Sequence, residues 1–208
     1  MKKVHCLILA GGLATRMRPQ TETIPKALIP IHDKPFIHYQ LDWLKKTGVT
    51  DVVLSIGYRG EQIRDSVGEG KPWGLKIEYV DEGKDLKGTG GAIRLAIQKN
   101  VLSDHFLVTY GDSFLPVDFG AVFKAFLDSG APALMVVYRN EGKWDTSNVL
   151  YETGKIVLYD KHHEHKDKAS TYQHIDYGLM AFSRAVIEQN IPVDKKYDLA
   201  VLLKKLSE

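Results

Sequence analysis

With a single cysteine, Cys6, the chain can form no internal disulfide and has no thiolate set for a metal. Cys6 sits in an apolar run, where a small buried side chain is the expected role. No stretch approaches the length of a membrane-spanning helix. The apolar run near the N-terminus is too short for a secretory leader and leads into a glycine pair rather than a cleavage site. A surplus of one charge is also missing. Twenty-eight Lys and Arg against 26 Asp and Glu leave a net +2, so neither nucleic acid nor a membrane is an expected partner. Any cationic site must therefore be local. Repeats and low-complexity tracts are lacking too. The 208 residues fit one cytoplasmic globular domain with a full core, and a homo-oligomer stays open.

The apolar patterning is that of an α/β protein. Val4–Leu9, Asp51–Ile56, Lys76–Val80, His105–Tyr110 and Pro132–Tyr138 read as strands. Phe36–Lys46, Gly60–Val67, Gly90–Gln98 and Asp118–Leu127 read as helices between them. Such alternation implies a mainly parallel sheet covered by helices on both faces, a Rossmann-like three-layer α/β/α sandwich. After Tyr138 the rhythm changes. Asn148–Tyr151 and Lys155–Tyr159 flank Thr153-Gly154 as a hairpin, and Lys161–Ser170 reads as an exposed loop. A strand over Tyr172–Phe182, a helix from Ser183 and a helix over Tyr197–Leu206 follow. The sheet is expected to be mixed, with the late antiparallel pieces lying over its C-terminal edge. Residues 1–138 and residues 139–208 read as two portions of one domain.

The densest chemistry lies between Leu9 and Ile31. A buried strand ends at Leu9-Ala10-Gly11-Gly12, followed by Thr15, Arg16 and Arg18, then Pro25-Lys26. Glycines let the backbone approach an anion, and successive N–H groups can nest around phosphate oxygens. Arg16 can grip phosphate with two parallel bonds, whereas Lys26 supplies a compact charge whose direction Pro25 helps to set. The run lacks the Gly-Lys-Ser/Thr of a Walker loop. It also lacks the spaced glycines of a dinucleotide fingerprint.

This segment resembles the signature of the sugar-1-phosphate nucleotidyltransferases, or NDP-sugar pyrophosphorylases. Leu-Ala-Gly-Gly, Thr-Arg-x-Arg-Pro-x-Thr and Pro-Lys-x-Leu-x-Pro-Ile are matched without a gap. The resemblance implies that Leu9, Ala10, Gly11, Gly12, Thr15 and Arg16 hold a nucleoside triphosphate. It also implies that Lys26 meets phosphate at the reacting centre. Leu86-Lys87-Gly88-Thr89-Gly90-Gly91-Ala92 is similar to the family's base-binding turn, which assigns Gly88 and Thr89 to the nucleotide. On its own this turn could be a helix cap with Thr89 capping. Asp112, after a buried strand and Gly111, is by resemblance the Mg²⁺ ligand; read alone it could cap the following helix.

Glu82 stands where relatives using uracil or thymine often carry glutamine. A carboxylate accepts hydrogen bonds only, so it suits the donor-rich edge of guanine, and next that of cytosine. GTP is the favoured triphosphate.

On the sugar side, Asp160-Lys161 is similar to the family's Glu-Lys pair, the acid for sugar hydroxyls and the lysine for the sugar phosphate. Asn148, Asp176 and Gly178 resemble pocket-wall positions. Asp176-Tyr177-Gly178 is similar to the D-glycero-D-manno-heptose 1-phosphate guanylyltransferases of bacterial surface-polysaccharide pathways. His162, His163 and His165 sit in a lysine-rich loop and read as solvated; Trp43 and Trp73 read as packing residues, and Trp144 as a sugar-pocket candidate. The family's further acid, near a Gly-Ser/Thr pair beyond the last helix, has no counterpart before Glu208. The sequence thus reads as stopping short of the family's usual C-terminus, with a second metal ligand expected from elsewhere, for example Asp176.

The implied reaction is attack of a sugar 1-phosphate on the α-phosphorus of an NTP, with Mg²⁺ as cofactor. The rivals are a pyrophosphorylase of the same family specific for UTP, dTTP or CTP, and a non-catalytic regulator that binds nucleotide sugars. A glycosyltransferase is a further rival, but it would need a second acid beside Asp112.

Overall fold

The structure is a computed structural model that describes residues 3–167 and 171–208. The last three positions of the expected 161–170 loop fall outside the described residues. Strand β1 (His5–Leu9) has Cys6 and Ile8 on one face and Leu7 on the other, all buried. Because side chains alternate along a strand, the two sets feed two cores, one on each side of the sheet. A small hairpin, β2 (Pro30–Ile31) and β3 (Lys34–Pro35), leads into α1 (Phe36–Lys46). Then follow β4 (Asp51–Ile56), α2 (Gly60–Val67), β5 (Lys76–Asp81), α3 (Gly88–Gln98), β6 (His105–Tyr110) and α4 (Phe119–Ser129).

The later portion contributes β7 (Ala133–Arg139), β8 (Val149–Glu152), β9 (Lys155–Tyr159), β10 (His174–Ser183), α5 (Arg184–Asn190) and α6 (Leu199–Ser207). Thr153 and Gly154 both take positive φ, 47° and 86°, which is the turn that a two-residue hairpin needs.

The described residues form an eight-stranded sheet in the order β5-β4-β1-β6-β10-β8-β9, with β7 also paired to β10. Strands β5, β4, β1 and β6 are parallel, and β10 runs antiparallel between β6 and β7. The late strands therefore extend the sheet sideways instead of lying over its edge, a correction to the sequence reading. On one face α1, α2 and α4 insert Ile37, Leu41, Ile63, Phe123 and Phe126. On the other, α3, α5 and α6 insert Ile93, Ile97, Ile187, Leu202 and Leu203. The three-layer α/β/α sandwich with a mixed, mainly parallel sheet is as expected. The carboxyl ends of β1, β4, β5 and β6 lie on one rim and open into Gly11, Gly57, Glu82 and Gly111, where ligands of such sheets bind.

Candidate active site

The loop after β1 builds the first half of the site. It runs through a short 3₁₀ turn at Thr15–Met17, entered through Ala14 at φ 47°, and returns through a second turn at Lys26–Leu28 behind Pro25. Thr21 ties the return, donating to the Ala14 carbonyl at 3.0 Å. A cavity of about 150 Å³ results, lined by Leu9, Ala10, Gly12, Arg16, Lys26 and Asp112 among others. Lys26 meets Asp112 at 2.6 Å. The β6 turn carrying Asp112 is braced from beneath by buried Gln40 of α1, whose amide donates to the carbonyls of Tyr110 at 2.8 Å and Ser113 at 2.5 Å. The cap of the following helix is Asp118, which accepts from Ala121 N–H at 2.9 Å. Asp112 is thus not used as that cap.

A second cavity of about 240 Å³ adjoins the first and shares Leu9, Gly12 and Asp112 with it. Its other walls include Gly11, Glu82, Leu86, Gly88, Thr89 and Tyr110. Glu82 accepts from Ser55 Oγ at 3.1 Å and from Lys87 N–H at 2.8 Å. Burial raises its pKa above the ordinary carboxylate range, and the Lys87 N–H and Ser55 hydroxyl only partly offset this. A Cβ at Gly11 would lie 2.7 Å from Glu82 Oε1, so glycine there is what admits the carboxylate.

Thr89 does not cap α3. Gly90 and Gly91 N–H both donate to the Tyr197 carbonyl, at 2.9 and 3.2 Å. Thr89 Oγ1 accepts from Leu199 N–H at 2.8 Å and pairs with Asp198 at 3.2 Å. Gly88, at φ 73°, is needed because a Cβ would come within 2.8 Å of the same Tyr197 oxygen.

The sugar-side residues group around these cavities without lining them. Lys161 Nζ reaches Asp198 at 3.1 Å and so joins the Thr89 end of the second cavity. Asp176 takes Gly178 N–H at 2.8 Å, and the Lys161 charge and the Tyr159 hydroxyl favour its ionised form. Burial raises its pKa, against those lowering contacts. Asn148 accepts from Asp176 N–H at 3.3 Å. Tyr110 stands between the two groups. Burial, and after it the charges of Asp176, Asp198 and Asp112, push its phenol upward. Gly178, at φ 89°, faces Tyr110 and Ser113.

Four of the expected residues lie outside the two cavities. Asp160 is 1 % exposed, and its carboxylate is taken up by Glu164 N–H, His165 N–H and the Tyr172 hydroxyl, so it has no approach for a sugar hydroxyl. Thr15 is exposed on its turn and lines neither cavity. Trp144 is 81 % exposed and lines neither of them either. Asp176, the example given for a second metal ligand, accepts from Gly178 N–H at 2.8 Å and lines neither cavity.

Residues 5–145 match the family model described as nucleotidyl transferase. The chain belongs to the nucleotidyl transferase family. Its relatives in the family are named as sugar-1-phosphate nucleotidyltransferases, in line with the Leu9–Ile31 signature. One is a D-glycero-alpha-D-manno-heptose 1-phosphate guanylyltransferase of Aneurinibacillus thermoaerophilus, 28% identical over 185 residues, with 89% of this chain and 77% of that one covered. Another is a UTP--glucose-1-phosphate uridylyltransferase of Synechocystis, 29% identical over 208 residues, with 94% and 53% covered. The chain spans about half the length of the Synechocystis relative. Among solved structures, HddC from Yersinia pseudotuberculosis superposes with a TM-score of 0.72 at 27% identity, covering 95% of this chain and 84% of that one.

Within this family frame, sequence reasoning missed Asp198 and Tyr110. An Asp before an apolar helical run is a cap signal, and Asp198 does cap α6 through Ala200 N–H at 3.0 Å. Reading the helix from Tyr197 hid it. Burial would raise its pKa, yet Ala200 N–H, Lys161 and Thr89 hold it below the usual carboxylate range.

Proposed function

We propose that the protein condenses a sugar 1-phosphate with a nucleoside triphosphate, GTP favoured, to give an NDP-sugar and pyrophosphate. The observation that carries this reading is the shared cavity of Arg16, Lys26 and Asp112, joined through Leu9 and Gly12 to the cavity of Glu82, Gly88 and Thr89. Two anions must be brought together, so neutralising charge and fixing alignment are the main catalytic tasks. Arg16 and the Gly11–Gly12 backbone receive the triphosphate, Lys26 the reacting phosphate and Lys161 the sugar phosphate. The attacking oxygen is already ionised, so no general base is required.

Mg²⁺ belongs to this reading. Asp112 offers a hard oxygen donor, with a side chain 40% exposed, at the junction of the two cavities, which suits an ion that binds one or two carboxylates plus phosphates. When bound there, the ion would supply positive charge to the crowded phosphates.

GTP is favoured because Glu82 lines the second cavity, where the lone pairs left beside its bonds to Ser55 and Lys87 would accept from a donor-rich base edge, and the Aneurinibacillus relative is named a guanylyltransferase. We assign 1–138 to the nucleotide and 139–208 to the sugar phosphate. The cytoplasm, where such substrates are made, is the location this reading implies; among the described residues no helix is long and apolar enough to cross a membrane. Assaying pyrophosphate release with GTP, UTP, CTP, ATP and dTTP against several sugar 1-phosphates tests it. Release that needs both substrates and is fastest with GTP is expected. A ranking led by UTP would overturn the base assignment, and silence throughout would overturn the enzyme reading.

A further inference from the structure

The segment that presents Lys161 is folded around a buried charge. Asp160 accepts from Glu164 N–H at 2.9 Å, His165 N–H at 3.0 Å and the Tyr172 hydroxyl at 2.9 Å. Its backbone is fixed as well, with its N–H donating to the Asn148 carbonyl at 2.9 Å and its carbonyl accepting from His163 N–H at 3.2 Å. Tyr172 is 6 % exposed, the His163 ring lies against it, and Glu164 is ion-paired to Lys204 of α6. Burial alone would raise the Asp160 pKa, but the His165, Glu164 and Tyr172 donors outweigh it and hold the group ionised below its usual range.

Aspartate suits this inward role because its short side chain matches N–H groups four and five residues ahead in its own loop. Lys161 leaves this knot directly and meets Asp198, which is also bound to Thr89. A lysine ammonium on a flexible four-carbon stem does not orient itself, so the direction of its backbone decides which volume it reaches.

We propose that Asp160 is a positioning residue for sugar-phosphate binding, which aims Lys161 through the 160–165 loop with Tyr172 as its anchor. This rests on the nucleotidyltransferase reading and replaces the direct sugar contact expected of Asp160. The test uses Asp160→Asn and Tyr172→Phe, each alone and in a Lys161→Met background. Crystal structures locate Lys161, and kinetics vary the sugar 1-phosphate at saturating NTP.

Asp160→Asn is expected to raise the KM for sugar 1-phosphate about tenfold and Tyr172→Phe about threefold, the scale of one weakened charge-assisted bond. The kcat and the KM for NTP stay unchanged, Lys161 leaves Asp198 in both variants, and neither substitution adds an effect once Lys161 is methionine. Three results would overturn the proposal: an equal KM rise in the methionine background, Lys161 still on Asp198 in both crystal structures, or parallel losses for both substrates. If the unaltered protein releases no pyrophosphate with any pairing, the enzyme reading fails separately, and the position of Lys161 in the two crystal structures decides on Asp160.

Discussion

Lys26 and Asp112 lie 86 residues apart in the chain and 2.6 Å apart in space, ammonium against carboxylate. With side chains 37% and 40% exposed, such a pair adds only about 0–1 kcal/mol to stability. Its value is positional. It holds the cation proposed for phosphate and the carboxylate proposed for Mg²⁺ at one point on the rim.

Asp112→Asn is therefore expected to abolish turnover while shifting unfolding free energy by no more than about 1 kcal/mol. Pyrophosphate release and thermal melts on the same preparation check both halves. Full activity in the variant would remove Asp112 from the reaction.

Arg16→Lys keeps the charge but loses the planar fork that grips two phosphate oxygens. A fall in kcat of about 10²-fold is expected, the scale seen when one donor to developing charge is removed. Steady-state kinetics with GTP measure it, and an unaltered kcat would mean that Arg16 is only a solvated surface charge.

Glu82→Gln carries a double expectation. Its amide can donate where the carboxylate only accepts, so the GTP-over-UTP ratio of kcat/KM should fall about tenfold, the size of one lost base-edge pairing. The pH dependence has a definite sign. Burial raises the folded pKa of Glu82 above its ordinary 4.5, so the folded state binds the extra proton and this favourable contribution fades as pH rises through the raised value. The variant should gain stability relative to the unaltered protein on going from about pH 4, near the ordinary carboxylate pKa, to neutrality. Denaturant melts across that range test it; a constant difference would place Glu82 in contact with solvent.

Gly11→Ala should cost about 1–3 kcal/mol, because the new methyl would stand 2.7 Å from Glu82 Oε1, which the bonds from Ser55 and Lys87 hold in place, and 3.2 Å from Gly57 N. NTP binding should weaken along with stability. Urea unfolding and titration with GTP report the two effects, and a neutral outcome in both would show that the β1 turn is looser than its contacts imply.

Much of this was legible in the sequence. The alternation of Leu7 against Cys6 and Ile8, and the stripe of Ile37, Leu41 and Leu44, fix which faces are covered. Residues Leu9 to Ile31 carry the proposed phosphate loop in one continuous run, and the first cavity adds only Gly111 and Asp112 from outside it. Where the late strands attach was not legible. The apolar period of β10 is the same whether it lies over the edge of the sheet or extends it, and only the register reveals that it pairs directly with β6. Asp160 was hidden for a similar reason. An acid that follows a strand reads alike whether its carboxylate faces a ligand or the N–H groups of Glu164 and His165. The link from Thr89 to Asp198 joins residues 109 apart, beyond the reach of any local pattern.

In the proposed reaction a sugar phosphate attacks the α-phosphorus of the triphosphate beside Asp112, where the two cavities meet. The most direct measurement follows the label from GTP radiolabelled at either the α or the γ phosphorus, with a sugar 1-phosphate and Mg²⁺ present. The α label should appear in an NDP-sugar and the γ label in pyrophosphate, both only when the sugar phosphate is supplied. Transfer of the γ label to the sugar, or no movement of either label with any sugar 1-phosphate and any triphosphate, would contradict it.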